Sequence, residues 1–79
     1  MVCVSLFAGM AEAAGRRRLD VAWRGGTVAD LRAALARQCP AVGPLLARSA
    51  IAIDGRYAAD TAVVSVGTDV AVIPPVSGG

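Results

Sequence analysis

The fold of this chain is decided by one central segment, TVADLRAALARQ, at residues 27–38. Its start has the pattern of a capping box, with Thr27 as the N-cap and Asp30 facing back toward it. Apolar residues then recur at the spacing of one helical stripe: Val28, Leu31 and Leu35. The segment therefore predicts an amphipathic helix that runs to about Gln38 and is stopped by Pro40.

Four segments around this helix alternate apolar and polar residues with a period of two, which predicts β-strands. They cover residues 2–8, 16–23, 50–54 and 70–73. The first two are close enough in sequence to pair antiparallel. Asp54 and Gly55 signal a tight turn, and a short return strand with Tyr57 follows it. We predict connections elsewhere: residues 9–15, with room for one helical turn, an irregular segment at 41–49 and a loop at 58–68.

The order strand, strand, helix, strand, short strand, strand predicts an α+β fold, with one main helix packed across one face of a small mixed sheet. The natural closure places the last strand beside the first and parallel to it, which is the β-grasp, or ubiquitin-like, arrangement. With 79 residues, of which 56% are hydrophobic and 18% charged, the chain can form one small packed domain. We place this domain at residues 1–75 and predict a flexible Gly-Gly tail at residues 76–79.

The composition argues against catalytic side chains in this chain. It contains no His, and all eight basic residues are Arg, which excludes a His general base, a Schiff-base lysine and a P-loop lysine. A metal site is not expected, because there is no His and two cysteines are too few for a structural zinc centre. The net charge of +2 and the single arginine run at residues 16–18 indicate a solvated hairpin and not a nucleic-acid partner.

Cys3 and Cys39 are far apart, form no CxxC motif and follow no signal-peptide pattern. We interpret both as reduced thiols that fill small apolar spaces in an intracellular protein. No apolar run approaches the roughly 18 residues of a membrane span. We therefore expect a cytoplasmic protein without a membrane partner.

The C-terminal segment PPVSGG, at residues 74–79, carries the predicted chemistry. Its two prolines fix φ and are expected to project the tail away from the sheet. From Pro75 to Gly79 the extended chain can reach about 15 Å. Gly78 and Gly79 have no side chains, so the end can thread a channel too narrow for other residues. We assign Val76 and Ser77 to the same threading segment. The reactive group is then the α-carboxylate of Gly79.

A carboxylate is a poor electrophile, so a partner enzyme must activate Gly79, usually with a nucleotide. Sulfur can then replace the departing oxygen group and give a thiocarboxylate. Such a group is a soft nucleophile and needs no catalytic side chain from this chain. The alternative interpretation is a frayed Gly-Gly end without a function.

Four short segments are distributed over nearly the whole chain: VSLFA (residues 4–8), TVADL (27–31), IDGRY (53–57) and VIPPVSGG (72–79). The last of them is the most specific. Through them the chain resembles the family of the molybdopterin synthase small subunit, the MoaD/ThiS sulfur carriers. Residues 66–69, Val-Gly-Thr-Asp, depart from the acidic Asp-Gly-Asp-Glu-type turn that often precedes the last strand of that family. The departure weakens any expectation of acidic contacts with an activating enzyme.

The resemblance implies an ATP-dependent cycle. An adenylating enzyme of the kind that activates ubiquitin adenylates Gly79, and a sulfurtransferase or cysteine desulfurase system converts the adenylate to a thiocarboxylate. The tail then enters the large subunit of a heterotetrameric molybdopterin synthase. Sulfur passes there to cyclic pyranopterin monophosphate, during molybdenum cofactor biosynthesis. ATP is used by the activating enzyme, and no cofactor is bound permanently.

Strand alternation also predicts a partner-binding surface. Along the first and last strands, the residues that alternate with Phe7 and Ile73 are expected to face the helix. Phe7 and Ile73 then lie side by side on the open face of the sheet. Tyr57 is expected near them, and Pro74 and Pro75 extend the patch toward the tail. The resemblance implies docking of the large subunit through the same positions, while scattered exposed apolar residues are the alternative.

Three other functions stay open at this point. The chain fits a sulfur carrier for the thiamine thiazole or a cysteine route, a ubiquitin-like modifier conjugated to lysines, or a passive β-grasp binding module. The two consecutive prolines favour molybdopterin synthesis over the other sulfur pathways.

Overall fold

The computed structural model describes residues 2–75. The strands are β1 (Val2–Leu6), β2 (Arg18–Val21), β3 (Gly26–Thr27), β4 (Ala50–Ile53), β5 (Arg56–Ala58), β6 (Val63–Val64) and β7 (Val70–Ile73). The α-helices are α1 (Ala8–Ala14), α2 (Val28–Gln38) and α3 (Gly43–Leu46), and a 3-10 helix covers Pro40–Val42.

The main sheet has five strands in the order β2-β1-β7-β4-β5. β1 and β7 pair in parallel, with Leu6 opposite Val72, whereas the β1–β2, β4–β5 and β4–β7 pairs are antiparallel. The predicted closure of the last strand against the first is therefore confirmed. The mixed sheet with α2 across one face is the β-grasp arrangement, as predicted.

The core lies between that face of the sheet and α2. Alternate strand residues and the apolar stripe of α2 are almost completely buried: Val2, Val4, Leu6, Ile51, Val70, Val72, Val28, Leu31 and Leu35. The period of two in the strands and the spacing of the helical stripe thus meet in one apolar layer. The remaining side chains of β1 and β7 point to the other face of the sheet.

The start of α2 is fixed by the capping box that the sequence predicts. The Asp30 backbone N–H donates to Thr27 Oγ1 at 3.2 Å, and the Thr27 backbone N–H donates to Asp30 Oδ2 at 3.0 Å. A Cβ added to Gly26 would lie 2.7 Å from Asp30 Oδ2, so glycine lets this carboxylate approach the backbone. The hydrogen bonds from the Thr27 backbone and then its side chain lower the pKa of Asp30 below its usual value.

The capping box predicts a specific pH dependence of stability. Because the pKa of Asp30 is lower in the folded chain, its carboxylate stabilises the fold above its ordinary pKa and loses that effect as the pH falls through the folded value. We expect Asp30→Asn to be destabilised most at pH 7 and to approach the parent chain as the solution is acidified. Urea unfolding across the acidic range measures this difference. Asp20→Asn, at an exposed position outside the capping box, is the matched control and should follow the parent chain.

The end of α2 is tied to the sheet by the Gln38 side chain. Gln38 Oε1 accepts from the Ala22 N–H at 3.0 Å, and Gln38 Nε2 donates to the Ala22 carbonyl at 2.9 Å. Because Ala22 directly follows β2, these two bonds fix the position of the helix relative to the first strands. The predicted end of the helix near Gln38 is confirmed.

Three connections contain more structure than the sequence predicts. Residues 9–15 were expected to be a connection, but α1 is a seven-residue helix that begins directly after Phe7 and ends at Gly15 with φ 73°. The irregular segment predicted at 41–49 contains the 3-10 helix and α3. Within the loop predicted at 58–68, β6 pairs with β3. Each of these four elements contributes one almost completely buried apolar residue to the core: Met10, Val42, Leu46 and Val64.

The strands that surround α1 are shorter than predicted. β1 ends at Leu6 because Ala8, with φ 48°, turns the chain into α1. β2 covers only Arg18–Val21 of the predicted 16–23. At its start, Gly15 caps the C-terminus of α1 and the Arg16 N–H donates to the Ala11 carbonyl at 3.1 Å, so Arg16 is engaged with the helix end. None of the helices within residues 2–75 combines the length and the apolar character needed to cross a membrane.

Candidate functional site

The candidate site is the end of β7, where the chain leaves the sheet. β7 lies between β1 and β4 and is hydrogen-bonded to both. Its last residue, Ile73, is opposite Ala50, and Pro74 follows half-buried while Pro75 is exposed. The predicted threading and reactive positions, Val76, Ser77, Gly78 and Gly79, lie outside the described residues. The sheet thus fixes the point at which the chain leaves β7.

We refer to the face of the sheet that α2 does not cover as the open face. Its central row crosses four neighbouring strands, because Ser5 is opposite Ala71, Ala71 is opposite Ala52, and Ala52 is opposite Tyr57. Three of these four side chains are small, so the middle of the open face is flat. Phe7, which directly follows β1 in an extended conformation, and Ile73, the last residue of β7, each lie two residues beyond this row and belong to the same face by alternation.

Phe7 and Ile73 are brought to the same end of the open face. β1 and β7 are parallel neighbours, and each of the two residues directly follows the last paired positions, Leu6 and Val72. Phe7 is 51% exposed and Ile73 is partly exposed, and neither is among the residues that pack against the core. Ile53, by contrast, is on the α2 side and does pack against the core. The pair is therefore apolar surface that the fold itself does not use.

Tyr57 lies on the open face but at the opposite edge. It is 74% exposed on β5, and β4 and β7 stand between β5 and β1. At about 4.8 Å per strand spacing, its strand is about 14 Å from that of Phe7. The open face therefore has one aromatic residue near each edge with a flat centre between them.

A cleft beside Phe7 is a feature that sequence reasoning missed. It has a volume of about 440 Å³ and is lined by Ser5, Leu6, Phe7, Ala8, Ala11, Arg17 and Arg18. The sequence showed the arginine run but not what it faces, because the cleft depends on the pairing of β1 with β2 and on the position of α1. The cleft lies at the same end of the sheet as Ile73, since β2 begins where β1 ends.

This arrangement is suited to binding and positioning. The described side chains near the end of β7, among them Phe7, Ile73 and Arg18, are apolar or arginine. They can hold a partner in a fixed orientation to the C-terminal segment.

The chain matches one known protein family and is similar to several solved structures. The model of the ThiS family matches residues 4–79. The chain is similar to the crystal structure of SAMP1 from Haloferax volcanii, with 33% identity, a TM-score of 0.79 and coverage of 99% of this chain and 98% of that one. It is also similar to a putative molybdopterin converting factor, subunit 1, from Pyrococcus furiosus, with 26% identity, a TM-score of 0.82 and coverage of 95% and 97%.

A further likeness concerns the fold alone. In a complex of subunits 1 and 2 of molybdopterin-converting factor from Helicobacter pylori, the matching chain is 22% identical, with a TM-score of 0.70 and coverage of 99% of this chain and 97% of that one. No match is found among the curated protein sequences.

Proposed function

The chain belongs to the ThiS family, and on this basis we propose that it is the sulfur-carrier subunit of a molybdopterin synthase. Its β-grasp fold is that of the ubiquitin-like ThiS/MoaD proteins. The specific reaction, the reactive site at Gly79 and the partners are parts of this proposal.

The proposed chemistry takes place at the C-terminal carboxylate of Gly79. A carboxylate oxygen attacks the α-phosphorus of ATP on an activating enzyme, and pyrophosphate leaves. A sulfur nucleophile delivered by a sulfurtransferase or cysteine desulfurase system then attacks the acyl carbon, and AMP leaves. If the delivered sulfur is the outer sulfur of a donor persulfide, this attack gives an acyl disulfide. A second thiol of the donor system then reduces it, so that a disulfide forms on the donor and Gly79 is left with a thiocarboxylate, which donates sulfur to cyclic pyranopterin monophosphate.

The observation that carries the proposal is the position of β7. The family match continues past the sheet to residue 79, while the central strand ends at Ile73 and two prolines follow it. Because β7 is held on both sides, the segment that follows starts from a rigid base. Val76, Ser77 and Gly78 then serve as the threading segment. The 26% identity to the Pyrococcus furiosus protein favours the molybdopterin pathway.

The proposed partner surface is the open face near the end of β7. A large synthase subunit that receives the tail must approach Ile73, Pro74 and Pro75, and the exposed Phe7 lies beside them. Tyr57 adds a second contact at the far edge of the face. The Helicobacter pylori structure contains subunit 1 together with subunit 2, which is the kind of complex proposed here.

Sulfur loading is tested by intact mass spectrometry. The full chain is incubated with the activating enzyme of its own organism, ATP and a sulfur donor, and we expect a mass gain equal to one sulfur-for-oxygen exchange. Reactions without ATP or without the sulfur donor are the controls. An unchanged mass, with an enzyme shown to be active on another carrier, contradicts the proposal. Conversion of cyclic pyranopterin monophosphate by the loaded chain and a large subunit then distinguishes molybdopterin synthesis from the thiazole and cysteine routes.

A second candidate function is that of a protein modifier. The 33% identity to SAMP1, a small archaeal modifier protein, over 99% of this chain favours it. The same activated Gly79 carboxylate could be attacked by a lysine amine of another protein instead of by sulfur. Immunoblots of cells that express the tagged chain separate the two functions: bands of higher mass that disappear without Gly79 support a modifier, whereas a single band supports a carrier.

A further inference from the structure

We propose that the cleft beside Phe7 binds an acidic segment of a partner protein, in which an Asp or Glu stands next to an apolar side chain. The identity of this partner, as the protein that receives the C-terminal tail, rests on the proposed function. The binding chemistry depends only on the residues that line the cleft.

The walls of the cleft are fixed by backbone hydrogen bonds. The Leu6 N–H donates to the Arg17 carbonyl at 2.8 Å, and Ser5 is opposite Arg18 in the antiparallel pair. On the other side, the first turn of α1 is closed by a bond from the Met10 N–H to the Phe7 carbonyl at 3.0 Å. Both arginines therefore start from an ordered backbone. Such preorganisation lowers the entropic cost of binding.

The charges of the cleft are unbalanced. Its lining includes Arg17 and Arg18 but no acidic residue. Over residues 2–75, the only ion pair is the one between Arg32 and Asp60, so neither cleft arginine has an acidic partner there. A guanidinium matches a carboxylate through two parallel N–H···O bonds. The missing counter-charge therefore favours an incoming carboxylate.

The rest of the lining favours a peptide over a free anion. Leu6, Phe7, Ala8 and Ala11 are the apolar residues of the lining. A volume of about 440 Å³ is more than a single carboxylate fills and suits a carboxylate together with a neighbouring apolar side chain. Arginine and aromatic residues in one depression are also typical of energetically important interface positions.

The position of the cleft indicates which partner brings this segment. Phe7 belongs both to the cleft and to the open face, so the two surfaces are continuous. A protein that covers the end of β7 on the open face must also pass the mouth of the cleft. The cleft thus adds a charged contact at the rim of an apolar interface, where it can set the orientation of the partner and speed association.

The test uses two blocked peptides and NMR spectroscopy of the full chain. The probes are acetyl-Glu-Leu-Phe-Glu-amide and its neutral counterpart, acetyl-Gln-Leu-Phe-Gln-amide. We expect the acidic peptide to shift the amide signals of residues 5–8 and of Arg17 and Arg18, and the neutral peptide to leave them in place. The double variant Arg17→Gln, Arg18→Gln should bind the acidic peptide about tenfold more weakly.

A matched control removes the same charge from another part of the surface. Arg24→Gln, Arg48→Gln changes two exposed arginines outside the cleft and should keep the affinity within about twofold. Equal losses in the two double variants would mean diffuse charge attraction and would overturn the proposal. Equal binding of the neutral peptide, or an absence of shifts at the cleft, would also overturn the proposal. The same holds if AMP or an oligonucleotide shifts the signals of the cleft and the acidic peptide does not.

The outcome is separate from that of the proposed function. Sulfur loading measured by mass reports on Gly79, whereas the peptide titration reports on the cleft. If the chain binds the acidic peptide but is never loaded with sulfur, the cleft stands and the proposed function fails. If it is loaded but the titration fails, the proposed function stands and the cleft proposal falls.

Discussion

Deletion of Gly79 is expected to lower sulfur loading by at least about 100-fold while the stability of the domain stays the same. The deletion moves the terminal carboxylate about 3.5 Å back along the chain. Displacements of the order of 1 Å at a reacting group already cost about 100-fold in rate. The fold, in contrast, is built from residues 2–75, whose sheet and core end at Ile73.

The deletion changes both the length of the tail and its last residue, so a sharper variant is needed beside it. A semisynthetic chain that ends in the carboxamide of Gly79 keeps every residue and removes only the acid. We expect neither ATP-dependent adenylation nor sulfur loading of this chain, because an amide does not provide the anionic oxygen that attacks ATP. Thr61→Ala, an exposed change distant in sequence from the C-terminal segment, should load at the rate of the parent chain.

Loading is measured by intact mass and adenylation by ATP–pyrophosphate exchange. Urea unfolding should place the deletion variant within about 0.5 kcal/mol of the parent chain, because the described sheet ends at Ile73. Normal loading of the carboxamide would show that Gly79 is not the reactive position. A larger loss of stability on deletion would show that the C-terminal segment is part of the fold.

The helix α2 could be predicted because its signals are local. The capping box joins residues three positions apart, and the apolar stripe lies on one helix. α1 had no such signal: its N-cap residue, Phe7, makes no side-chain capping bond, and its first turn contains no acidic residue. Burial of Met10 and the left-handed Gly15 stabilise α1, and the first of these depends on tertiary packing. α3 is shorter still and contains Pro44.

The candidate site shows the same division between local and long-range information. The face on which Phe7, Ile73 and Tyr57 lie follows from alternation along each strand, which the sequence contains. The distance of Tyr57 from the other two follows from the strand order, which only the assembled sheet provides. The cleft is even harder to predict from the sequence, because its lining combines residues from β1, β2 and the first turn of α1.

The substitutions Ile73→Asp and Phe7→Asp are expected to weaken binding of the large subunit by about 100-fold or more. Central apolar anchors of an interface contribute about 2 kcal/mol or more, and an aspartate there also buries an unpaired charge. The stability of the free chain should fall by no more than about 1 kcal/mol, since neither side chain packs against the core. Titration calorimetry with the large subunit of the same organism measures the affinity, and urea unfolding measures the stability.

The control for this pair is Val66→Asp, which puts the same charge on an apolar residue of equal exposure. Val66 and Phe7 are both 51% exposed, but Val66 precedes β7 and therefore lies toward the opposite end of that strand from Ile73. If the open face near the end of β7 is the docking surface, Val66→Asp should keep the affinity of the parent chain. Equal losses in all three variants would indicate a general effect of the added negative charge. Unchanged affinity in both Phe7→Asp and Ile73→Asp would show that the large subunit approaches the C-terminal segment from another side of the sheet.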